Sequence, residues 1–235
     1  MTDDPYNAVI TWVDPGEPAV EGLLAGRRLL VKDLIDTEGV RTTYGSRIFR
    51  EHVPTRTAPA VERLLAAGAS LIGKANLHEF AWGVTSQNPW YGTVVNPAHP
   101  GRTAGGSSGG NAAALAAGMC DLGLGTDTGC SVRLPAACCG IVGLKTSWGS
   151  IPTDGVFPLC RSLDTVGPMA RTVSEVADAW SALSRKPVPE PRLAGLTVVL
   201  LRQAPGVGDG KSEPGSDLAE DYVEQLHRLG ARVVE

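Results

Sequence analysis

Between Arg27 and Glu235 the chain alternates short apolar runs with stretches whose apolar residues recur at helical spacing. "RRLLVKDLID" begins this grammar and predicts a buried strand. "TAPAVERLLAAGASLIGKAN" predicts a helix from about Ala58, ended at Gly68, then a strand through Leu71 and Ile72. "NAAALAAG" has strong helix propensity, and "CDLGLG" reads as a strand. The grammar returns at the carboxyl end. "GLTVVLL" (195–201) predicts a strand, and "SDLAEDYVEQLHRLGARVVE" a helix capped by Ser216 or Asp217, stopped at Gly230 and followed by a strand. Helices alternating with short apolar strands predict an α/β fold: a mixed, largely parallel central sheet flanked by helices. "SRKPVPEPRLAG" (184–195) reads as a connector and "QAPGVGDGKSEPG" (203–215) as a loop.

Composition narrows the function classes. The 235 residues are 43% hydrophobic and 20% charged, in the range of a globular protein with a real core. The net charge of −4, without a lysine or arginine cluster, argues against nucleic acid as a partner. No apolar run reaches membrane-spanning length, and the acidic, proline-broken amino terminus is no secretory signal. Five cysteines without a Cys-x-x-Cys spacing fit a reduced, cytoplasmic setting. No metal or cofactor motif is found. "GVGDGKS" (206–212) imitates a phosphate-binding loop, but Pro205 stands where the first glycine is required.

The candidate chemistry is concentrated in "GRTAGGSSGGNAAALAAG" (101–118), where Ser107 and Ser108 lie between two glycine pairs. A flexible linker is one reading, but its flanks are core-like. A nucleophile elbow is another. Gly106-Ser107-Ser108-Gly109-Gly110 satisfies G-x-S-x-G at Ser108, with Asp164 and His227 in the required order, yet His227 falls inside a predicted helix. A third reading adds "TDTGCSVRLPA". Its Ser131 lies 24 positions after Ser107 and follows a turn whose successive N–H groups can converge on an anion. Lys74, at the end of a predicted buried strand, is the base this reading needs, because burial favours the neutral amine. Trp82, Trp90 and Tyr91 have the spacing of core aromatics and are set aside.

Gly105–Gly110 followed by Gly125-Thr126-Asp127-Thr128-Gly129-Cys130-Ser131-Val132-Arg133-Leu134-Pro135 strongly resembles the amidase signature family. "VKDLIDTEGVRTTYGS" (31–46), "LIGKANLHEFAWG" (71–83), "NPAHPGR" (96–102), "GIVGLKTSWGSIP" (140–152) and "SLDTVGPMARTV" (162–173) extend the likeness over roughly 27–185. The resemblance implies hydrolysis of a small-molecule carboxylic amide to acid and ammonia or amine through a serine acyl-enzyme. Ser131 is then the nucleophile, Ser107 (held in the family by a cis peptide bond) the proton relay and Lys74 the terminal base. The N–H groups of Thr128, Gly129, Cys130 and Ser131 form the oxyanion hole. Ser108 orders the loop, Asp127 and Arg133 form a supporting pair, and Cys130 replaces a glycine usual in the family.

Family members are much longer, so this reading expects the amidase signature fold without its carboxyl-terminal portion. It divides the chain into an extension (1–26), a core (27–185) and a connector with a further α/β unit of the same domain (186–235). A cut sheet edge leads to the expectation of a homodimer or a complementing subunit. The alternative functions are an inactive fragment and a glutaminase or amidotransferase-type subunit.

Overall fold

A computed structural model describes residues 4–190, 192–199 and 216–234, with side chains from 216 to 219 left aside. The chain divides into two compact units, Met1–Val188 and Pro189–Glu235. The elements of the first are β1 (Val9–Trp12), β2 (Arg28–Lys32), α1 (Pro59–Ala66), β3 (Ser70–Ala75), β4 (Gln87–Asn88), β5 (Gly92–Thr93), α2 (Gly109–Ala116), β6 (Leu122–Asp127), α3 (Arg133–Cys139), β7 (Val142–Gly143), β8 (Thr165–Ala170) and α4 (Val173–Ser184). In the second, β9 (Thr197–Val199) and β10 (Arg232–Val234) pair in parallel, and α5 (Ser216–Arg228) precedes β10. The imitation phosphate loop at 206–212 lies outside the described residues.

Six strands of the first unit form one sheet in the order β1-β3-β2-β6-β8-β7. Its centre, β3-β2-β6, is parallel, and β1, β8 and β7 join antiparallel. The sheet is therefore mixed α/β, as the alternating pattern predicted. β6 and β8 are buried along their whole length.

Two apolar cores flank the sheet. One joins Leu29 and Val31 of β2 to Ala60, Val61 and Leu64 of α1 and to Val176, Ala179 and Leu183 of α4. The other joins Leu30 to Ala112–Leu115 of α2 and Ala136 and Cys139 of α3. Successive side chains of a strand face opposite sides. Lys32 therefore follows Leu30 onto the α2 side, and α2 begins directly after the two central serines. Pro59 occupies the first turn of α1, where a missing N–H costs nothing, and Gly68 (φ +100°) turns the chain after it. α4 opens with a capping box between Thr172 and Glu175.

Candidate active site

The glycines around the serines are spaced by neighbouring backbone. A side chain at Gly110 would run into the Asn76 and Ala8 carbonyl oxygens, and one at Gly109 would run into Ser86 Oγ. α2 thus packs against β3 and the segment before β1 at a distance only glycine permits. The Gly106–Ser107 peptide bond is cis. Ser107 is fixed from both sides. Its carbonyl accepts from the His78 N–H (3.2 Å) and from Ser86 Oγ (3.4 Å), while Ser86 Oγ accepts from the Gly109 N–H (3.0 Å).

The lysine at Ser107 is Lys32. Its Nζ lies 2.7 Å from Ser107 Oγ and 2.8 Å from Thr126 Oγ1, and Lys32, Ser107 and Ser108 are fully buried. Loss of solvent lowers the Lys32 amine to about 7, against the opposing pull of Asp127 and Asp164. An amine near that value is half uncharged at neutral pH and can accept a proton.

Lys74, the lysine expected at this place, is used elsewhere. Its Nζ donates to the Ile35 carbonyl (2.6 Å) and Thr42 Oγ1 (2.6 Å) and lies 3.7 Å from Asp33 Oδ1, with no hydrogen bond to either serine. Burial lowers it to about 8, with Asp33 opposing. The two lysines sit on neighbouring parallel strands, Val31 paired with Lys74 and Lys32 with Ala75. Both lie at the same end of the sheet, but the register sets Lys74 beside Val31 and so on the opposite face from Lys32, which alone is turned toward Ser107. The "VKD" that ends β2 was the available signal. Thr126 and Ser86 carried no signal of their own.

Ser131 joins the serine pair through its main chain: its carbonyl accepts from the Ser108 N–H at 3.2 Å. Its side chain is nearly buried, and its hydroxyl makes no hydrogen bond among the described residues, so it is free to meet a ligand. The four N–H groups of Thr128, Gly129, Cys130 and Ser131 likewise donate no hydrogen bond among the described residues. Such a run of unspent donors beside a hydroxyl is what an oxyanion needs. Cys130 replaces the expected glycine without cost: its φ is not in the left-handed region.

The turn is held from below by two carboxylates. Buried Asp127 accepts from the Val132 N–H (3.1 Å) and from Arg133 Nε and Nη2 (3.0 Å each). These partners hold its carboxyl below the usual range although burial pushes the other way. Asp164 accepts from Thr128 Oγ1 (2.6 Å) and from the Leu159 and Cys160 N–H groups (3.0 Å).

The elbow reading finds no such support. Ser108 Oγ contacts the Thr126 carbonyl (3.4 Å), Asp164 is committed to Thr128, and His227 lies within α5. Trp82 and Trp90 are exposed rather than in the core. A cavity of about 550 Å³ is lined by Asp36, Tyr44, His52 and Arg56 among others, and by none of Lys32, Ser107 or Ser131. The site is defined by its contacts and not by that cavity. Among the described residues no group of three His, Cys, Asp or Glu side chains could hold a metal, and no helix is long and apolar enough to cross a membrane.

The structure thus brings together a buried lysine on Ser107 and, through the Ser108 N–H, the main chain of Ser131 at the end of a turn whose N–H groups have no partner among the described residues. The Amidase family model matches residues 15–199, and the chain belongs to that family, the amidase signature proteins. It is 41% identical to one subunit of the glutamyl-tRNA(Gln) amidotransferase of Natronomonas pharaonis, over 98% of this chain and 58% of that protein. Against the same subunit of Thermus thermophilus it is 48% identical over 73% of this chain and 36% of that protein. Among solved structures, the corresponding amidotransferase polypeptide of Thermotoga maritima superposes with a TM-score of 0.85 at 32% identity, covering 97% of this chain and 53% of that one. The peptide amidase of Stenotrophomonas maltophilia does so with 0.82 at 30% identity, covering 97% and 54%. The chain thus spans about half the length of these relatives.

Proposed function

We propose that this chain carries an amide-hydrolysing site that releases ammonia from a primary carboxamide, as the amidase component of an amidotransferase. The observation that carries the chemistry is the 2.7 Å contact between Lys32 Nζ and Ser107 Oγ in a solvent-free interior. Ser131 Oγ attacks the carboxamide carbon, and its proton passes to Ser107 as the Ser107 proton passes to Lys32. The N–H groups of 128–131 receive the oxyanion. Collapse of the tetrahedral species breaks the C–N bond, and the proton returns along the relay to the departing nitrogen, which leaves as ammonia. Water then attacks the Ser131 ester, the relay runs a second time and the carboxylic acid departs.

The relatives named as one subunit of a glutamyl-tRNA(Gln) amidotransferase support glutamine as the ammonia donor and a complementing polypeptide as partner. The peptide amidase at a TM-score of 0.82 supports a second reading, free-standing hydrolysis of other amides. Ammonia release from glutamine and from simple aliphatic and aromatic amides tests both. Glutamine turnover that requires added partner subunits supports the first reading, and turnover of other amides by the chain alone supports the second. Release that survives Ser131→Ala overturns the site.

A further inference from the structure

We propose that Thr126 is a positioning residue of this site: its hydroxyl fixes the Lys32 amine so that the nitrogen lone pair faces the Ser107 hydroxyl. The inference rests on the relay described above and adds a member to it. Thr126 Oγ1 lies 2.8 Å from Lys32 Nζ and Ser107 Oγ 2.7 Å from it. No other acceptor meets Nζ among the described residues.

An ammonium has three N–H donors and would leave one of them without a partner in a fully buried place, which is costly. A neutral amine has two N–H donors and one lone pair. With one N–H on Thr126 Oγ1, the lone pair is left for the proton of Ser107; the second N–H has no partner, just as the third of an ammonium would have none, but the neutral amine brings no ionic charge into the buried place. The neutral amine otherwise rotates about its last carbon bond, and an N–H in place of the lone pair at Ser107 cannot take a proton. Thr126 is well held for the task. It lies on β6, buried along its length and paired with β2 on one side and β8 on the other. Its β-branched side chain has few rotamers, and its carbonyl receives Ser108 Oγ at 3.4 Å. In the proton transfer, the Ser107 O–H bond breaks as the new N–H bond forms at Lys32. Thr126 neither gains nor loses a proton.

The rate at which a fluorophosphonate labels Ser131, followed from pH 5.5 to 9.5, tests this without a known substrate. Asp127, Asp164 and His78 are the titratable groups in the field of Lys32, and the substitutions leave them in place. Thr126→Val removes the hydroxyl at nearly constant shape. It is expected to lower the high-pH plateau by roughly tenfold to a hundredfold, the scale of a misplaced catalytic group. It should also move the midpoint downward, because the ammonium form loses an acceptor. Thr126→Ser is expected to restore plateau and midpoint. A Thr126→Val profile that matches the unsubstituted protein while Lys32→Ala abolishes labelling overturns the inference and leaves the relay standing. A serine variant as slow as the valine variant, with an unchanged melting temperature, also overturns it. Labelling that ignores Lys32→Ala defeats the relay itself.

Discussion

Lys32 and Ser107 are 75 residues apart in the chain, yet the amine of one lies 2.7 Å from the hydroxyl of the other and neither side chain reaches solvent. Lys74, on the next strand, is equally buried but spends its donors on Ile35 and Thr42. The two lysines should therefore fail differently. Lys32→Ala is expected to slow ammonia release by about 10²–10⁴-fold, the range of a lost general base. Lys74→Met leaves the Asp33 carboxylate buried and unpaired, so it should cost about 3–5 kcal/mol of stability in denaturant titration. The molecules of that variant that remain folded should keep the original pH profile.

The pH dependence of stability follows from the same lysines. Lys32 is lowered to about 7 and Lys74 to about 8 from an ordinary 10.5. Below those values the folded state binds the same protons as the unfolded state but holds the charges at a cost, so the penalty is present in full. Above them the unfolded state binds more protons, and the lysines' contribution to stability rises with pH until the ordinary lysine value is reached. The stability read from urea titration should climb from pH 7 to 9, by up to about 1.4 kcal/mol per pH unit for each lysine, and level off above 9, where burial, which pushes the Cys120 and Cys139 thiols up to about 12, pulls the other way. Lys32→Met should remove its share of that slope.

Two glycines make opposite predictions. A Cβ at Gly110 would run into two backbone carbonyl oxygens, whereas a Cβ at Gly129 meets nothing within 4 Å. Gly110→Ala is expected to cost more than about 3 kcal/mol, the upper end for overpacking that side chains can absorb. Gly129→Ala should stay within about 0.5 kcal/mol. Thermal melts of the two variants check this directly.

Asp127 and Arg133 are also unequal partners. Asp127 is sealed and satisfies the Val132 N–H as well as the guanidinium, while half of the Arg133 side chain faces solvent. Asp127→Ala should cost about 2–3 kcal/mol through the buried groups it strands. Arg133→Ala should cost about 1 kcal/mol or less, as partly exposed ion pairs do. Urea titrations of the two variants measure the difference.

Much of this fold is legible in the sequence because burial leaves a pattern. The β2, β3 and β6 runs, α1 ending before Gly68 and the alanine-rich body of α2 all carry local signals. The antiparallel entry of β8 does not. Pro168 within "TVGPMA" lacks an N–H and argues against a strand, yet β7 has only two residues and its pairing ends at Met169. The Thr172–Glu175 capping box that opens α4 was readable from spacing alone. Ser107, Ser131 and the turn 128–131 could be found because glycines and hydroxyls cluster locally. The choice between Lys32 and Lys74 had only the "VKD" at the end of β2 as a signal; it is decided by the pairing of the two strands, which sets Lys74 opposite Val31 and so on the other face from Lys32. Thr126 and Ser86 were beyond reach for a related reason: each matters only through a partner distant in sequence that packing brings to it.

The central claim is that a neutral Lys32, acting through Ser107, activates Ser131. Fluorophosphonate labelling with mapping of the modified peptide, in the unsubstituted protein and in Lys32→Ala, tests it most directly. The account predicts a single adduct on Ser131 that forms with a midpoint near pH 7 and vanishes in the variant. An adduct on Ser108, or one on Ser131 that forms at the same rate without Lys32, would contradict it.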